Sequence, residues 1–147
     1  MADQDPSPLR RASGTAQLFE QLARRVLERR HSRDLHASQW SALRYFSRAG
    51  RRAATVIGLS RYLGNTSGST SRTAKSLVDR TLLSVEQAAH DGRSVTFSLT
   101  EEGRKYLQND PLNDLTHVLS LLSEEELAEL SRLLDKVDGR LRQSREE

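Results

Sequence analysis

Between Ser67 and Ser76 the chain gathers side chains that donate hydrogen bonds: Ser67, Ser69, Thr70, Ser71, Arg72, Lys75 and Ser76. Asp79 is the one carboxylate close by. Donors and cations crowded together suit an anion. A guanidinium grips phosphate or a guanine edge through a planar fork, an ammonium acts as a point charge, and hydroxyls reach phosphate oxygens. Arg72 fits a base edge or a phosphate, and a bidentate pair to guanine is worth about 1–3 kcal/mol of discrimination. Arg61, a few residues earlier, suits a phosphate. A second basic position, Arg93, stands beside Asp91 in Asp91-Gly92-Arg93, where the carboxylate can orient the guanidinium.

Other chemistries find little support. The chain has no cysteine, which excludes disulfides, thiol redox chemistry and cysteine-ligated metals. His31, His36, His90 and His117 are scattered, and the nearest two are not at the three- or four-residue spacing of helical metal ligands. No nucleophile elbow, phosphate-binding loop or paired histidine–carboxylate motif occurs. The expectation is therefore no catalytic residue, no metal and no cofactor. There is no apolar run long enough to cross a membrane. The stretch from Met1 to Gly14 has no apolar centre and reads as no signal peptide, so a cytoplasmic protein is expected.

Charge is unevenly distributed. Residues 1–100 carry 16 Lys and Arg against 8 Asp and Glu, whereas residues 101–147 carry 7 against 12. A basic front and an acidic rear point to a polyanion meeting the front. The chain is 35 % apolar and 29 % charged. So polar a chain, divided among many helices, gains from a second copy that completes its core.

The elements that would position these groups follow from periodicity. Residues 1–13 read as a disordered arm, and residues 14–147 as one chain. A helix is expected from Thr15 to Arg30, with Leu18, Leu22 and Val26 at spacing four. A second runs from Ser38, a plausible N-cap, to Ala49, with Gly50 at a left-handed C-terminal cap. Trp40, Leu43 and Phe46 point inward from it. A third spans Thr55 to Leu63, with Val56, Ile57, Leu59 and Leu63 as its apolar side and Gly64 as its stop. The Gly- and Ser-rich run from Gly64 could pass for a linker. Thr70, Ala74, Leu77 and Val78 nonetheless fall on one helical side, so residues 67–80 read as a fourth helix capped by Thr66 or Ser67.

The period then becomes two. Leu83 and Val85, and Val95, Phe97 and Leu99, flank an Asp-Gly turn, which predicts a two-stranded ribbon over 82–99. Thr100 can cap a helix from Glu101. Asp110-Pro111 must kink or restart it. Leu112, Leu115, Leu119 and Leu122 extend the apolar stripe. Ser123-Glu124-Glu125-Glu126 is a capping box opening a last helix, where Leu127, Leu130, Leu134, Val137 and Leu141 repeat as a seam. That seam suits a second chain or an intramolecular bundle contact equally.

Helix, turn, polar-faced helix and hairpin, in that order, make a winged helix-turn-helix. Over residues 15–143 the chain resembles the MarR family of bacterial transcription regulators. The strongest match is Asp91 to Gly103, similar to the family's wing followed by Leu-Thr-x-x-Gly. Ser69-Thr70-Ser71-Arg72 resembles its recognition helix, Gln39-Trp40-Ser41-Ala42-Leu43 its second helix, and the Leu-rich end its dimerisation element. Thr81 departs from the glycine usual after the recognition helix, and Gly92 from a second basic residue at the wing tip.

The resemblance implies a mainly α fold with a small β-hairpin wing on a helical dimerisation frame. It implies a DNA-binding lobe over 34–100 and dimerisation segments over 14–33 and 101–147. Double-stranded DNA is the implied partner, met by a homodimer on a pseudo-palindrome with half-sites about 34 Å apart. Leu18, Leu22, Leu115, Leu119, Leu127, Leu130, Leu134 and Val137 would build the dimer interface. The resemblance further implies a repressor released by a small aromatic acid held between the lobes. The competing expectation is a winged helix that binds protein and not DNA, against which Arg72, Lys75 and Arg93 count.

Overall fold

Ser7 and Pro8 start the first helix. The Ser7 hydroxyl accepts from the Arg10 N–H at 3.4 Å, and proline suits a first turn, where its missing N–H would have no partner. Helix α1 therefore covers Pro8–Glu28, and residues 8–13, expected in the arm, are its opening turns. The fold is a computed structural model that describes residues 7–28, 35–87 and 95–144. It divides into two units, residues 1–110 and 111–147. Among the described residues no helix is long and apolar enough to cross a membrane.

Helix α2 (Ala37–Arg48) begins one residue before the expected Ser38. His36 is its N-cap, because the Gln39 side chain reaches back to accept from the His36 N–H at 2.7 Å. At the other end the backbone turns out through Ala49 in extended conformation, so Gly50 needs no left-handed geometry. The Gly50 carbonyl instead accepts from the N–H groups of Ala53 and Ala54 and closes a turn. The Tyr45 hydroxyl donates to the Ala53 carbonyl at 2.6 Å, and burial pushes its phenol up, keeping it a donor.

Helix α3 (Val56–Leu63) is capped by Thr55, whose hydroxyl accepts from the Gly58 N–H, and stopped by Gly64 at φ +64°. A Cβ on Gly58 would lie 2.2 Å from the Ala53 carbonyl oxygen, so only glycine lets α3 sit this close to the preceding turn. Leu59 is fully buried, with Val56 and Leu63 packed beside it. Ile57, expected on that side, is 62 % exposed. Two residues along a helix is a rotation of about 200°, so Ile57 must face away from Leu59.

Helix α4 (Ser67–Asp79) forms from poor helix formers because its cap and its core contacts hold it. Thr66 accepts from the Ser69 N–H, and Thr70, Ala74 and Leu77 are buried. At its end the Leu82 N–H donates to the Leu77 carbonyl and the Thr81 N–H to the Val78 carbonyl. That pairing is a Schellman motif, which requires a left-handed residue at Thr81. Thr81 has φ +61°, the one non-glycine residue at positive φ among those described.

Strands β1 (Leu83–Gln87) and β2 (Val95–Leu99) pair antiparallel, with Leu83 opposite Leu99 and Val85 opposite Phe97. The Phe97 N–H also donates to the Ala54 carbonyl, tying the ribbon to the turn before α3. Phe97 packs on Phe46, ring centroids 5.3 Å apart, whereas Val85 on the same face lies beyond this cover and is exposed. The core of the first unit comprises Leu35, Trp40, Leu43, Phe46, Leu59, Leu77, Leu82, Leu83 and Phe97 with Ala42, Ala54 and Ala74. Each large aliphatic or aromatic group so buried contributes about 1.5–3 kcal/mol relative to exposure.

Thr100 caps helix α5 (Glu101–Gln108) by accepting from the Gly103 N–H, and donates to the Thr81 carbonyl at 2.6 Å. Arg44 of α2 holds the buried Asp110 through two bonds of 2.5 and 2.6 Å just past α5. The helix stops there and restarts: α6 (Leu112–Leu119) follows Pro111. In the second unit the Ser123 capping box opens α7 (Glu124–Gln143). Ser123 Oγ accepts from the Glu126 N–H, and Glu126 Oε2 accepts from the Ser123 N–H. Seven helices and one antiparallel hairpin complete the winged-helix architecture of the described residues.

Candidate nucleic-acid interface

Helix α4 has two sharply different sides. Thr70, Ala74 and Leu77 are fully buried against the core. Gly68, Ser71, Arg72, Lys75 and Asp79 are exposed away from it, and Ser67 is exposed as the first residue of the helix. Because helical residues advance about 100° each, Arg72, Lys75 and Asp79 lie within one sector, with Ser71 on its flank. The first turn carries no acidic residue, and its Ser and Gly side chains are short enough for a close approach to its backbone N–H groups. Arg72 has no hydrogen-bond or ion-pair partner among the described residues. Lys75 reaches Asp79 at 2.8 Å, a surface pair with both side chains more than half exposed. Helices α2 and α3 and the ribbon base support α4 from its buried side.

Residues 33–94 match the model of the MarR family. The chain has the winged-helix fold of MarR-type structures. The S. aureus MepR–DNA complex shares the fold at a TM-score of 0.69 and 20 % identity, over 88 % of this chain and 96 % of that one. A MarR/EmrR family transcriptional regulator from Acinetobacter sp. ADP1 does so at 0.68 and 22 %, over 90 % and 96 %. S. aureus MepR bound to ethidium bromide does so at 0.56 and 22 %, over 86 % and 97 %. At these identities the likeness is one of fold. No curated protein sequence matches.

The geometry of α4 sorts the expected contacts. Arg72 and Lys75 stand on the outer face with Ser71 on its flank, Ser67 is exposed at the start of the helix, and Arg61 is exposed in the last turn of α3. Ser69 is half-buried at the edge. Thr70 is removed from the set: it is 0 % exposed and its hydroxyl donates to the Thr66 carbonyl within the helix. Ser76 is not free either, because its Oγ accepts from Gln39 Nε2 at 2.7 Å. Asp91 and Arg93 of the wing lie outside the described residues.

The expected dimerisation positions divide by exposure. Leu18 and Leu22 on α1 are exposed, as are Leu127, Leu134 and Val137 on α7. Leu115, Leu119 and Leu130 are half-buried. Phe19, Val118, Leu121 and Leu133 are further exposed apolar groups on these segments.

Sequence reasoning missed Gln39 and Thr100 as supports of this site. In the sequence Gln39 stands only in the stretch that resembles the family's second helix. Its position three after His36, the geometry of a capping box, was the available signal. Thr100 was read as a helix cap, but its hydroxyl also bonds the Thr81 carbonyl 19 positions back in the chain, which no local pattern announces.

Proposed function

We propose that this protein is a sequence-specific, DNA-binding transcriptional repressor. In this reading it acts as a homodimer on a pseudo-palindromic operator and leaves it when a small aromatic ligand binds. The observation that carries the reading is α4 itself. Its inner side is wholly buried, and it offers Arg72 and Lys75 on its outer side, Ser71 on the flank and Ser67 at its start, at the scale of a major groove. Arg72 reads a base edge, Lys75 and Arg61 hold phosphates, and Arg93, oriented by Asp91, enters the minor groove from the wing.

The dimer is supported by the unpartnered apolar side chains of α1 and α7, among them Leu18, Leu22, Leu134 and Val137. Exposed apolar side chains in such number mark an association surface. Segments 14–33 and 101–147 would then form the dimer frame, and 34–100 the DNA-binding lobe. Ligand release is supported by the fold's likeness to a MepR that was solved with ethidium. Release requires the ligand to favour a state that binds DNA less well.

Selection of duplexes from a random pool by the purified protein tests this reading. The expected result is an enriched inverted repeat whose affinity falls steeply with salt, as displaced counterions return to phosphate. Arg72→Ala should cost about 1–3 kcal/mol on that site and relax one position, while Lys75→Ala should weaken all duplexes alike and lower the salt slope by about one. A pool that enriches no sequence overturns the proposal.

A further inference from the structure

Gln39 is 6 % exposed and occupies both ends of its amide. The His36 N–H can only donate, so the atom facing it at 2.7 Å is Oε1. The Nε2 end then points to Ser76 Oγ, also at 2.7 Å, on the recognition helix. One side chain thus binds the first turn of α2 to the shoulder of α4.

That shoulder sets the aim of the recognition face. Ser76 stands about 40° around the helix from Arg72 and about 100° from Lys75. The apolar contacts beneath α4, at Ala74 and Leu77, hold it to the core but have little directional preference. A hydrogen bond does have one. A rotation of about 20° moves a group roughly 6 Å from the helix axis by roughly 2 Å, enough to break a hydrogen bond to a base edge.

We infer that Gln39 is a positioning residue for DNA recognition: it locks the rotation of α4, and so the aim of Arg72, to the start of α2. The inference rests on the DNA-binding reading above. It also gives α2 a means of control, since a shift of its first turn either carries α4 with it or breaks the bond to Ser76.

Three variants isolate the link. Ser76→Ala removes its α4 end with little threat to folding, since alanine is a good helix former. Gln39→Met removes both ends. Gln39→Glu keeps an oxygen for the His36 N–H and offers another to which the Ser76 hydroxyl can donate. Affinity is measured for the selected duplex and for a scrambled one, and amide exchange along α4 in the DNA-free protein. Ser76→Ala and Gln39→Met should each lose roughly tenfold on the selected duplex and nothing on the scrambled one. The double variant should lose no more than Gln39→Met, and Gln39→Glu should stay within about twofold of the parent.

In the DNA-free protein, Ser76→Ala should speed exchange in α4 and leave α5 unchanged. A Ser76→Ala protein with full affinity for the selected duplex, a parallel loss on both duplexes, or unaltered α4 exchange would each overturn the inference. A parent protein that distinguishes no duplex refutes the DNA reading instead, and α4 exchange then still reports on the link by itself.

Discussion

Thr81 is the place where this chain departs most clearly from conformational preference, and replacing it with glycine should stabilise the protein. Its φ of +61° puts a β-branched residue in the left-handed region. For an L-residue with a Cβ that conformation costs about 1–2 kcal/mol. Glycine removes the cost but forfeits about 0.5–1 kcal/mol through the greater freedom of the unfolded chain. The side chain itself contributes little, since its hydroxyl donates only to the neighbouring Arg80 carbonyl at the surface. The backbone bonds that define the turn survive in glycine: Thr81 N–H to Val78, Leu82 N–H to Leu77, and the Thr81 carbonyl to the Thr100 hydroxyl. The net expectation for Thr81→Gly is a gain of about 0.5–1 kcal/mol, a rise of roughly 2–3 °C in Tm for a domain of this size. Urea titration at one fixed protein concentration measures it, because a dimer's stability depends on concentration. Thr81→Ala keeps a Cβ in the same conformation and should remain near the parent. If Thr81→Gly destabilises, or Thr81→Ala gains as much, positive φ is not what this position resists.

Two further substitutions probe the same body. Gly103→Ala would set a Cβ 2.2 Å from the Leu82 carbonyl oxygen and 2.6 Å from Leu99 Cδ2, so α5 must shift. Chemical denaturation should show a loss of at least about 2 kcal/mol. Asp79→Asn removes the carboxylate that pairs with Lys75 on the outer face of α4. Such an exposed pair is worth about 0.2–1 kcal/mol, so fold stability should change little. Fluorescence anisotropy should show DNA affinity rising about two- to fivefold at low salt, the gain fading as salt is added.

What was legible in the sequence was whatever repeats locally. Leu43 and Phe46 on α2, Leu59 on α3, and Thr70, Ala74 and Leu77 on α4 betray their buried sides by helical spacing, and all are buried. Thr66, Thr100 and Ser123 sit one residue before their helices and cap them as expected, while Thr55, expected as the first helical residue, is the cap of α3. A cap and the first turn it closes are neighbours in the chain, so composition records both.

What escaped depends on contacts distant in sequence. Nothing near Ser76 shows that its hydroxyl belongs to Gln39, 37 positions away. By spacing Thr70 suits packing, and by its hydroxyl it suits a DNA contact. One helical position cannot face both ways, and burial decides for packing. Gly50 was expected in a left-handed cap because glycine permits one. The chain leaves α2 by an extended Ala49 and uses the Gly50 carbonyl in the following turn. A residue's tolerance of a conformation shows only what the position allows.

Local and distant contacts together account for how so weak a helix forms. The start of α4 relies on Thr66, its middle on Thr70, Ala74 and Leu77, and its end on the Schellman turn. Thr100 grips that turn. Its hydroxyl donates to the Thr81 carbonyl and accepts from the Gly103 N–H, while its own N–H donates to the Leu82 carbonyl. Helix end, strand base and the cap of α5 therefore meet at one residue and share its geometry. Leu82 leads directly into β1, so a change in the α4 turn enters the ribbon through the backbone itself. Helix α4 and the ribbon base thus share their contacts at Thr81, Leu82 and Thr100, and Gln39 bonds α4 at Ser76. The outer face can then carry serine and glycine, residues that favour close approach over helix stability, because the inner face and the two ends supply the rigidity they lack.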